Sequence, residues 1–599
     1  MKVRIPIMID DPYGGRGLAR PFEMFTSQDE EFFLDGPVTR RVAVLDFDPA
    51  TGALRPGARF VPSQNGRDYG TYDTDGPEEI YGDSFLQVNV FATVLQTLSL
   101  FEEPDALGRR ITWAFEAPQL LVVPRAGEMA NAFYERESHS LQFFYLAPPA
   151  EGRRPVYTSL SRDIVSHETA HAILDGIAPS LYNAMAPQSL ALHEAIADLT
   201  ALLISFRSRK LREAVLDGTH GSLDNSTAFS AVAPEFGNAR DPANKAEFLR
   251  NLNNRANLIT GDPDRVNRYE PHSLSEALSG ALYAVMIRTY NAVREENPGE
   301  PSGKSLFVAA ARFKRMILRA LDYLPPGEVS FADYGRAILA ADQAAHPDDG
   351  QERQWICEQF TTRGIVPDTG ALAIETNVPF PAIEKVDLQT LLDSDWAAYE
   401  FANQNRRFLG IPEGVPFRVR PRLDTAKLYY LRKGEKPDRI RELIFKVAWD
   451  QKEPSGLGPS LPDVRQITVG TTVALDWTTR KVRARLTSEQ SRDQKEERDG
   501  LLHLLLDEGI LRVGDAAKGP DGKPLRGAVR AETLDGVMRV RGTARMLHIA
   551  RMAGEAPTGG APGLTVPNPP PGVDGGAFYD LAVGACCFRA TPSSGAGNR

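Results

Sequence analysis

Residues 162–177, Arg162-Asp163-Ile164-Val165-Ser166-His167-Glu168-Thr169-Ala170-His171-Ala172-Ile173-Leu174-Asp175-Gly176-Ile177, form the most informative stretch of this chain. Apolar residues recur there at three- and four-residue spacing, which predicts a helix. Residues four apart on a helix share a face, about 5–6 Å apart. His167 and His171 can therefore offer two imidazoles to one Zn²⁺ at about 2.0–2.1 Å. Glu168 lies beside such an ion without ligating it, where it can take the proton of an attacking water. With nine histidines in 599 residues, chance produces this spacing in about one chain in a hundred.

A catalytic zinc needs a third protein ligand and one open position. Glu194, in His193-Glu194-Ala195-Ile196-Ala197-Asp198, lies on the next helical run, after a proline-containing connection over 179–187. A helical hairpin would fold it back onto the two histidines. Asp198 is four residues further on and shares its face, so it can accept the other N–H of a ligating histidine. A solvated helix acid is the plain alternative for Asp198.

HETAH followed by EAIAD resembles the thermolysin-like peptidases of the gluzincin group, whose pattern is HExxH and then Glu-x-x-x-Asp on the next helix. The similarity runs over roughly residues 110–366, with its motifs in the family's order. Tyr182 falls where the family has a tyrosine that binds the transition-state oxyanion. Asn131-Ala132-Phe133-Tyr134 is similar to the edge-strand motif whose asparagine and backbone hold substrate in extended form, a case of strand addition. Gly261-Asp262-Pro263-Asp264 and Arg268-Tyr269 resemble the segment before the family's catalytic histidine, which implies that role for His272. Arg250, in Phe248-Leu249-Arg250, matches the family's substrate-carbonyl arginine, and residues 331–365 resemble its last helices. His193 stands where the family commonly has asparagine; it is either a hydrogen-bond partner of a ligand or a spurious fourth-ligand candidate. Read for packing alone, Tyr182 is a core tyrosine, His272 a helix-start residue, Asn131 a turn residue and Arg250 a surface charge.

The resemblance implies an α+β fold. A thermolysin-like catalytic unit, with a β-rich N-terminal lobe (1–160) and a helical zinc-peptidase lobe (161–366), is followed by a β-rich C-terminal module (367–599). It implies one Zn²⁺ per chain on His167, His171 and Glu194, with Glu168 as base, Tyr182 and His272 as oxyanion donors, and Asn131, Ala132 and Arg250 as substrate contacts. The expected activity is that of an endopeptidase preferring a bulky apolar residue after the cleaved bond, with Ile164 and Leu249 as pocket walls. The rivals are a gluzincin aminopeptidase and a non-catalytic zinc-binding interaction protein. The family also holds calcium beside the zinc helix, using an aspartate matched by Asp163. Ser205 stands where a further ligand acid belongs, and Arg207, Arg209, Lys210 and Arg212 follow. Calcium takes about six to eight oxygens and is repelled by such cations. This site is therefore expected to be absent, with Asp163 paired to one of the basic side chains.

Composition agrees with a globular chain of more than one core: 599 residues, 42% hydrophobic and 25% charged. A net charge of −10 gives no basic footprint for nucleic acid. No apolar run is read as reaching the roughly 18 residues of a membrane span, and MKVRIPIMIDDPYGGRGLAR lacks the apolar core of a signal peptide. The expected partners are thus peptide or protein substrates, with neither nucleic acid nor membrane. The expected location is cytoplasmic, or outside by a leaderless route. Of three cysteines, Cys586 and Cys587 are adjacent and Cys357 stands alone, with no CxxC spacing.

Along the chain, residues 41–48 and 111–146 read as strands and 88–100 as a helix within the first lobe. Helical periodicity covers 164–177, 190–206, 273–290 and 305–324. Strands are expected at 416–420, 443–448 and 466–474, a helix at 488–511 and a Pro/Gly-rich linker at 555–576. The shift in composition near Asp368 predicts a separable C-terminal module, a surface for an unidentified partner.

Overall fold

The computed structural model describes residues 2–541 without 11–21, 28–29, 49–50, 65–68, 75–78, 130, 147–153, 183, 225–228, 233–249, 347–349, 377, 430–437, 457–462, 489–490, 508–511, 514–529 and 535–536. The described residues form a mixed α/β protein. Leu249, His548, the 555–576 linker, Cys586 and Cys587 lie outside them.

The N-terminal part opens with an antiparallel pair, β1 (Val3–Met8) and β2 (Phe22–Ser27). A four-stranded sheet follows, built from β3 (Val42–Val44), β4 (Leu120–Val123), β5 (Ala132–Glu135) and β6 (Ser140–Phe143) in the order β3-β4-β6-β5. β4 is a continuous Leu-Leu-Val-Val run, as befits a central parallel strand covered on both faces. β5, which begins one residue after Asn131, pairs antiparallel with β6 and forms the sheet's edge. Between β3 and β4 runs α1 (Asp83–Glu102). By length and composition alone α1 is the one described helix that could cross a membrane. Yet 89% of its apolar window is buried inside the protein, and its buried amides tie it to neighbouring backbone. Asn89 accepts from Met8 N–H at 2.8 Å and donates to the Ser159 carbonyl at 2.9 Å.

The next part is helical: α2 (Arg162–Ile177), a single turn at Pro179–Tyr182, α3 (Pro187–Ser205), a shorter helix Arg209–Gly218, α4 (Pro271–Glu296), α5 (Ser302–Tyr323), α6 (Phe331–Ala345) and α7 (Gln351–Thr362). The helix starts are legible chemistry. Ser161 accepts from the Ile164 N–H, Pro187 and Pro271 occupy first-turn positions, and Ser330 forms a capping box with Asp333. Gly176 lets α2 approach the N-terminal part closely, since a Cβ there would lie 2.1 Å from the Thr112 carbonyl oxygen. Asp163 accepts from Ser205 Oγ at 3.2 Å, while Arg207 pairs with Glu103 at 2.5 Å and Arg209 with Glu213 at 2.6 Å. These two arginines thus have carboxylate partners other than Asp163.

The region after residue 367 is not uniformly β-rich. It begins with short helices at Pro381–Glu384 and Leu388–Asp393, α8 (Asp395–Gln404) and Arg406–Leu409. The antiparallel strands β7 (Phe417–Tyr429), β8 (Asp438–Pro454), β9 (Val464–Asp476) and β10 (Val482–Thr487) follow, and then α9 (Arg492–Asp507). Both faces of this sheet are covered. Leu443, Phe445, Val447 and Trp449 of β8 pack with Ile383, Leu391 and Phe401 of the short helices. On the other face Ile444, Ala474, Ala484 and Leu486 join the apolar core of the helical part. Fully buried charges cross this second seam: Lys427 Nζ lies 3.2 Å from Asp322 of α5, and Tyr323 donates to Glu442 at 2.7 Å. α9 packs against the helical part, where Glu497 accepts from Gln188 of α3 at 2.8 Å and faces Arg268 at 3.6 Å.

The boundary near 367 therefore changes element type without ending the core. Removing one member of a buried ion pair costs about 3–5 kcal/mol, and here the loss would add to exposure of the core face. We expect a chain ending at residue 370 to show no cooperative thermal unfolding. A soluble 1–370 protein melting at the full-length temperature would contradict the shared core.

Candidate metal centre

α2 and α3 pack side by side, and their facing sides carry the motif residues. Ligand atoms of His167, Glu168 and His171 all lie within 4.8 Å of one another. The two Nε2 atoms are 3.0 Å apart. Glu194 brings Oε2 to 3.3 Å from His167 Nε2 and Oε1 to 3.6 Å from His171 Nε2. A tetrahedral site with bonds of 2.0–2.1 Å has ligand–ligand edges of about 3.3–3.4 Å. The three observed separations straddle that value, so the donor set fits a zinc-sized ion.

The outer nitrogens of both histidines are engaged. His167 Nδ1 lies 2.9 Å from Asp198 Oδ1, the contact that the one-turn spacing after Glu194 suggested. Asp198, fully buried, also takes a two-pronged bond from Arg250, Nε to Oδ2 at 2.8 Å and Nη2 to Oδ1 at 2.6 Å. Burial raises the Asp198 carboxyl, but Arg250 and His167 outweigh it and hold the group down at about 2. An ionised carboxylate only accepts, so His167 Nδ1 carries the proton and Nε2 presents its lone pair inward. Arg250, expected to meet a substrate carbonyl, is thus brought into this second layer as the partner of Asp198.

His171 Nδ1 lies 2.6 Å from His193 Nδ1. Burial, then the neighbouring His171, hold His193 well below the usual histidine range, so it is neutral and can accept. With His193 as acceptor, His171 too turns its Nε2 lone pair inward. Two lone pairs and a carboxylate then converge, and Glu194 Oε2, buried and 3.3 Å from both His167 Nε2 and His272 Nε2, makes no well-aligned hydrogen bond among the described residues. A cation between them resolves both features. His193→Leu should weaken metal binding about 10–100-fold, while His193→Asn, which keeps an acceptor, should stay within about tenfold of the parent. Chelator competition measures both affinities, and parental affinity in His193→Leu would rule out the support role.

His272 opens α4 and turns Nε2 to within 3.3 Å of Glu194 Oε2. Its Nδ1 lies 3.0 Å from Glu270, which also caps α4 by accepting the N–H groups of His272 and Ser273. Burial lowers His272, but Glu194 and Glu270 overcome it and push the ring up to about 10. For His167, burial is likewise outweighed, by Asp198 and Glu194, and the ring rises to about 9. A divalent ion uses the same lone pair as the proton, so the two compete at His167 and metal affinity falls as pH falls.

Glu168 Oε2 accepts the backbone N–H of Tyr134 on the edge strand β5 at 3.1 Å, which fixes the carboxylate between strand and cluster. Asn131 accepts from the Ala132 N–H at 2.9 Å and so shapes the start of that strand. Tyr182 is buried, and its hydroxyl accepts from the Arg136 backbone N–H at 3.3 Å, with the Arg136 guanidinium 4.3 Å above its ring. Arg136 and the Tyr134 hydroxyl both bond Asp175 of α2 at 2.7 Å. The structure thus brings Tyr182 to the backbone just beyond β5, alongside the support of that strand. Ile164 is buried in the main core.

Sequence reasoning did not single out Glu270, Asp175 or Arg136. Glu270 had a signal, an acid directly before a proline at a predicted helix start. Asp175 and Arg136 are 39 residues apart and their pairing had none. Compared with known protein families and with curated proteins, the chain matches none.

Proposed function

We propose that this chain is a zinc-dependent endopeptidase of the thermolysin-like kind. The observation that carries the reading is the convergence of His167, His171 and Glu194 at tetrahedral edge lengths, with Glu168 beside them and anchored to an edge strand. When bound, the metal supplies Lewis-acid polarisation of the scissile carbonyl. Glu168 takes the proton of the attacking water and delivers it to the leaving amine. His272, held by Glu270, contributes positive charge where the oxyanion grows, a contribution worth about 3–4 kcal/mol for a well-placed donor. Asp198 and His193 keep the two imidazoles in the ligating tautomer. An extended peptide adds along β5, near Asn131 and Ala132, so that its backbone is held with little demand on its sequence. Selection then rests on the residue after the cleaved bond, for which a bulky apolar side chain is preferred.

The test is casein turnover by the purified full-length protein, with and without a zinc chelator. Turnover abolished by chelator supports the proposal. Stoichiometric metal without turnover of casein or of any peptide in a library favours a metal-binding interaction protein, and release of single N-terminal residues alone favours an aminopeptidase.

A further inference from the structure

At the seam between the helical part and the long sheet lies a cavity of about 380 Å³. Ile177 and Leu181, at and after the end of α2, form one wall. Residues 324–327 between α5 and α6 form another, and Val419, Lys446 and Thr468 bring in β7, β8 and β9. The lining is mainly apolar and proline-rich. Two of the lining residues are basic, Lys446 and Arg418, and none is acidic.

Lys446 is the unusual member. It is 2% exposed, and its Nζ donates to the Leu324 carbonyl at 2.9 Å. That carbonyl already accepts from Thr472 Oγ1 at 2.8 Å. Among the described residues no carboxylate lies within ion-pair distance of Lys446. The contrast within the same seam is sharp: Lys427 faces Asp322 at 3.2 Å and Glu442 at 3.9 Å. Arg418, the second basic group, is matched by Asp450 at 3.0 Å. Burial drives the Lys446 amine down to about 7, against the pull of Asp322. A lysine in its charged form carries three donors, and a buried charge is stable only when paired. The wall thus holds a buried amine whose charge no nearby carboxylate matches among the described residues and whose acceptor, the Leu324 carbonyl, is shared with Thr472, beside a mainly apolar chamber.

We infer that this cavity binds a small monocarboxylate with an apolar tail, the carboxylate on Lys446 Nζ and the tail among Ile177, Leu181, Leu324 and Val419. The carbonyl end of α2 disfavours an anion, which leaves that wall to the hydrocarbon. The same chemistry is offered by a free short-chain acid and by the carboxyl end of a peptide finishing in an apolar residue. The inference does not depend on the metal centre being catalytic.

Calorimetric titration of the full-length protein with 4-methylvalerate, N-acetyl-leucine and N-acetyl-leucinamide tests it. Saturable binding is expected for at least one acid, with the amide weaker by at least about tenfold. Tighter binding of N-acetyl-leucine identifies a peptide end, and tighter binding of 4-methylvalerate a free acid. Lys446→Met keeps the stem, removes the nitrogen and should weaken the acid by a similar factor. Should that variant not fold, Val419→Trp fills the chamber from β7 with the amine intact and should abolish binding. No saturable binding of either acid at millimolar concentration, equal binding of the amide, or binding untouched by the folded variant overturns the inference. The last of these would move the ligand to the metal centre.

Discussion

Glu168→Gln is expected to retain its full complement of metal and to lose casein hydrolysis by about 10²–10⁴-fold. The substitution is nearly isosteric, and its amide oxygen can still accept the Tyr134 N–H that holds Glu168 at 3.1 Å. The proposed ligands His167, His171 and Glu194 are untouched. What disappears is the basic lone pair, which acts only as the water is deprotonated, so kcat should fall far more than KM changes. Metal content and steady-state kinetics on one preparation measure both halves. A variant that hydrolyses at the parental rate would remove Glu168 from the chemistry, and one that loses its metal would make it a ligand.

His171→Ala should fall from about one equivalent of metal to almost none. His171 contributes one of the two imidazole nitrogens 3.0 Å apart, and catalytic zinc is held by only three protein ligands. The substitution also strips His193, fully buried between α2 and α3, of its Nδ1 contact at 2.6 Å. The melting temperature should drop as well, because an ion that binds only the folded chain stabilises it by about 2.7 kcal/mol at a hundredfold excess over Kd. Elemental analysis after purification without added metal gives the first readout and a thermal melt the second. Full metal retention would end this ligand assignment.

The parts of the chain that were legible are those written in short-range pattern. The helical runs of α2, α3, α4 and α5 carry repeating apolar residues over four or more turns, and the first three start on capping or first-turn proline chemistry. The spacing within HETAH and EAIAD put three of the ligand candidates and Asp198 on two adjacent helix faces before any packing was known. The short helices over 381–409 were missed because helices of four to ten residues have little stability of their own. Theirs comes from contacts such as Phe401 against Phe445, 44 positions away, with ring centroids 5.6 Å apart. The bond from Arg250 to Asp198 spans 52 residues and leaves no local trace, so only the family resemblance singles out this arginine. The distance of Tyr182 from His171 in the sequence says nothing about the Arg136 backbone that its hydroxyl meets. The way the C-terminal sheet packs is hidden in the sequence for a related reason. Strand alternation shows that β8 has two faces, but not that Ile444 joins the core of the helical part while Leu443 and Phe445 join a second one.

The central claim is that His167, His171, Glu194 and Glu168 form one metal-dependent hydrolytic centre. Its most direct measurement is titration of zinc into chelator-stripped, buffer-exchanged protein while casein hydrolysis is followed. Activity should be lost on stripping, rise linearly with added zinc and break at about one equivalent per chain. Hydrolysis that survives stripping, or that stays absent when zinc has bound at one equivalent, would contradict it.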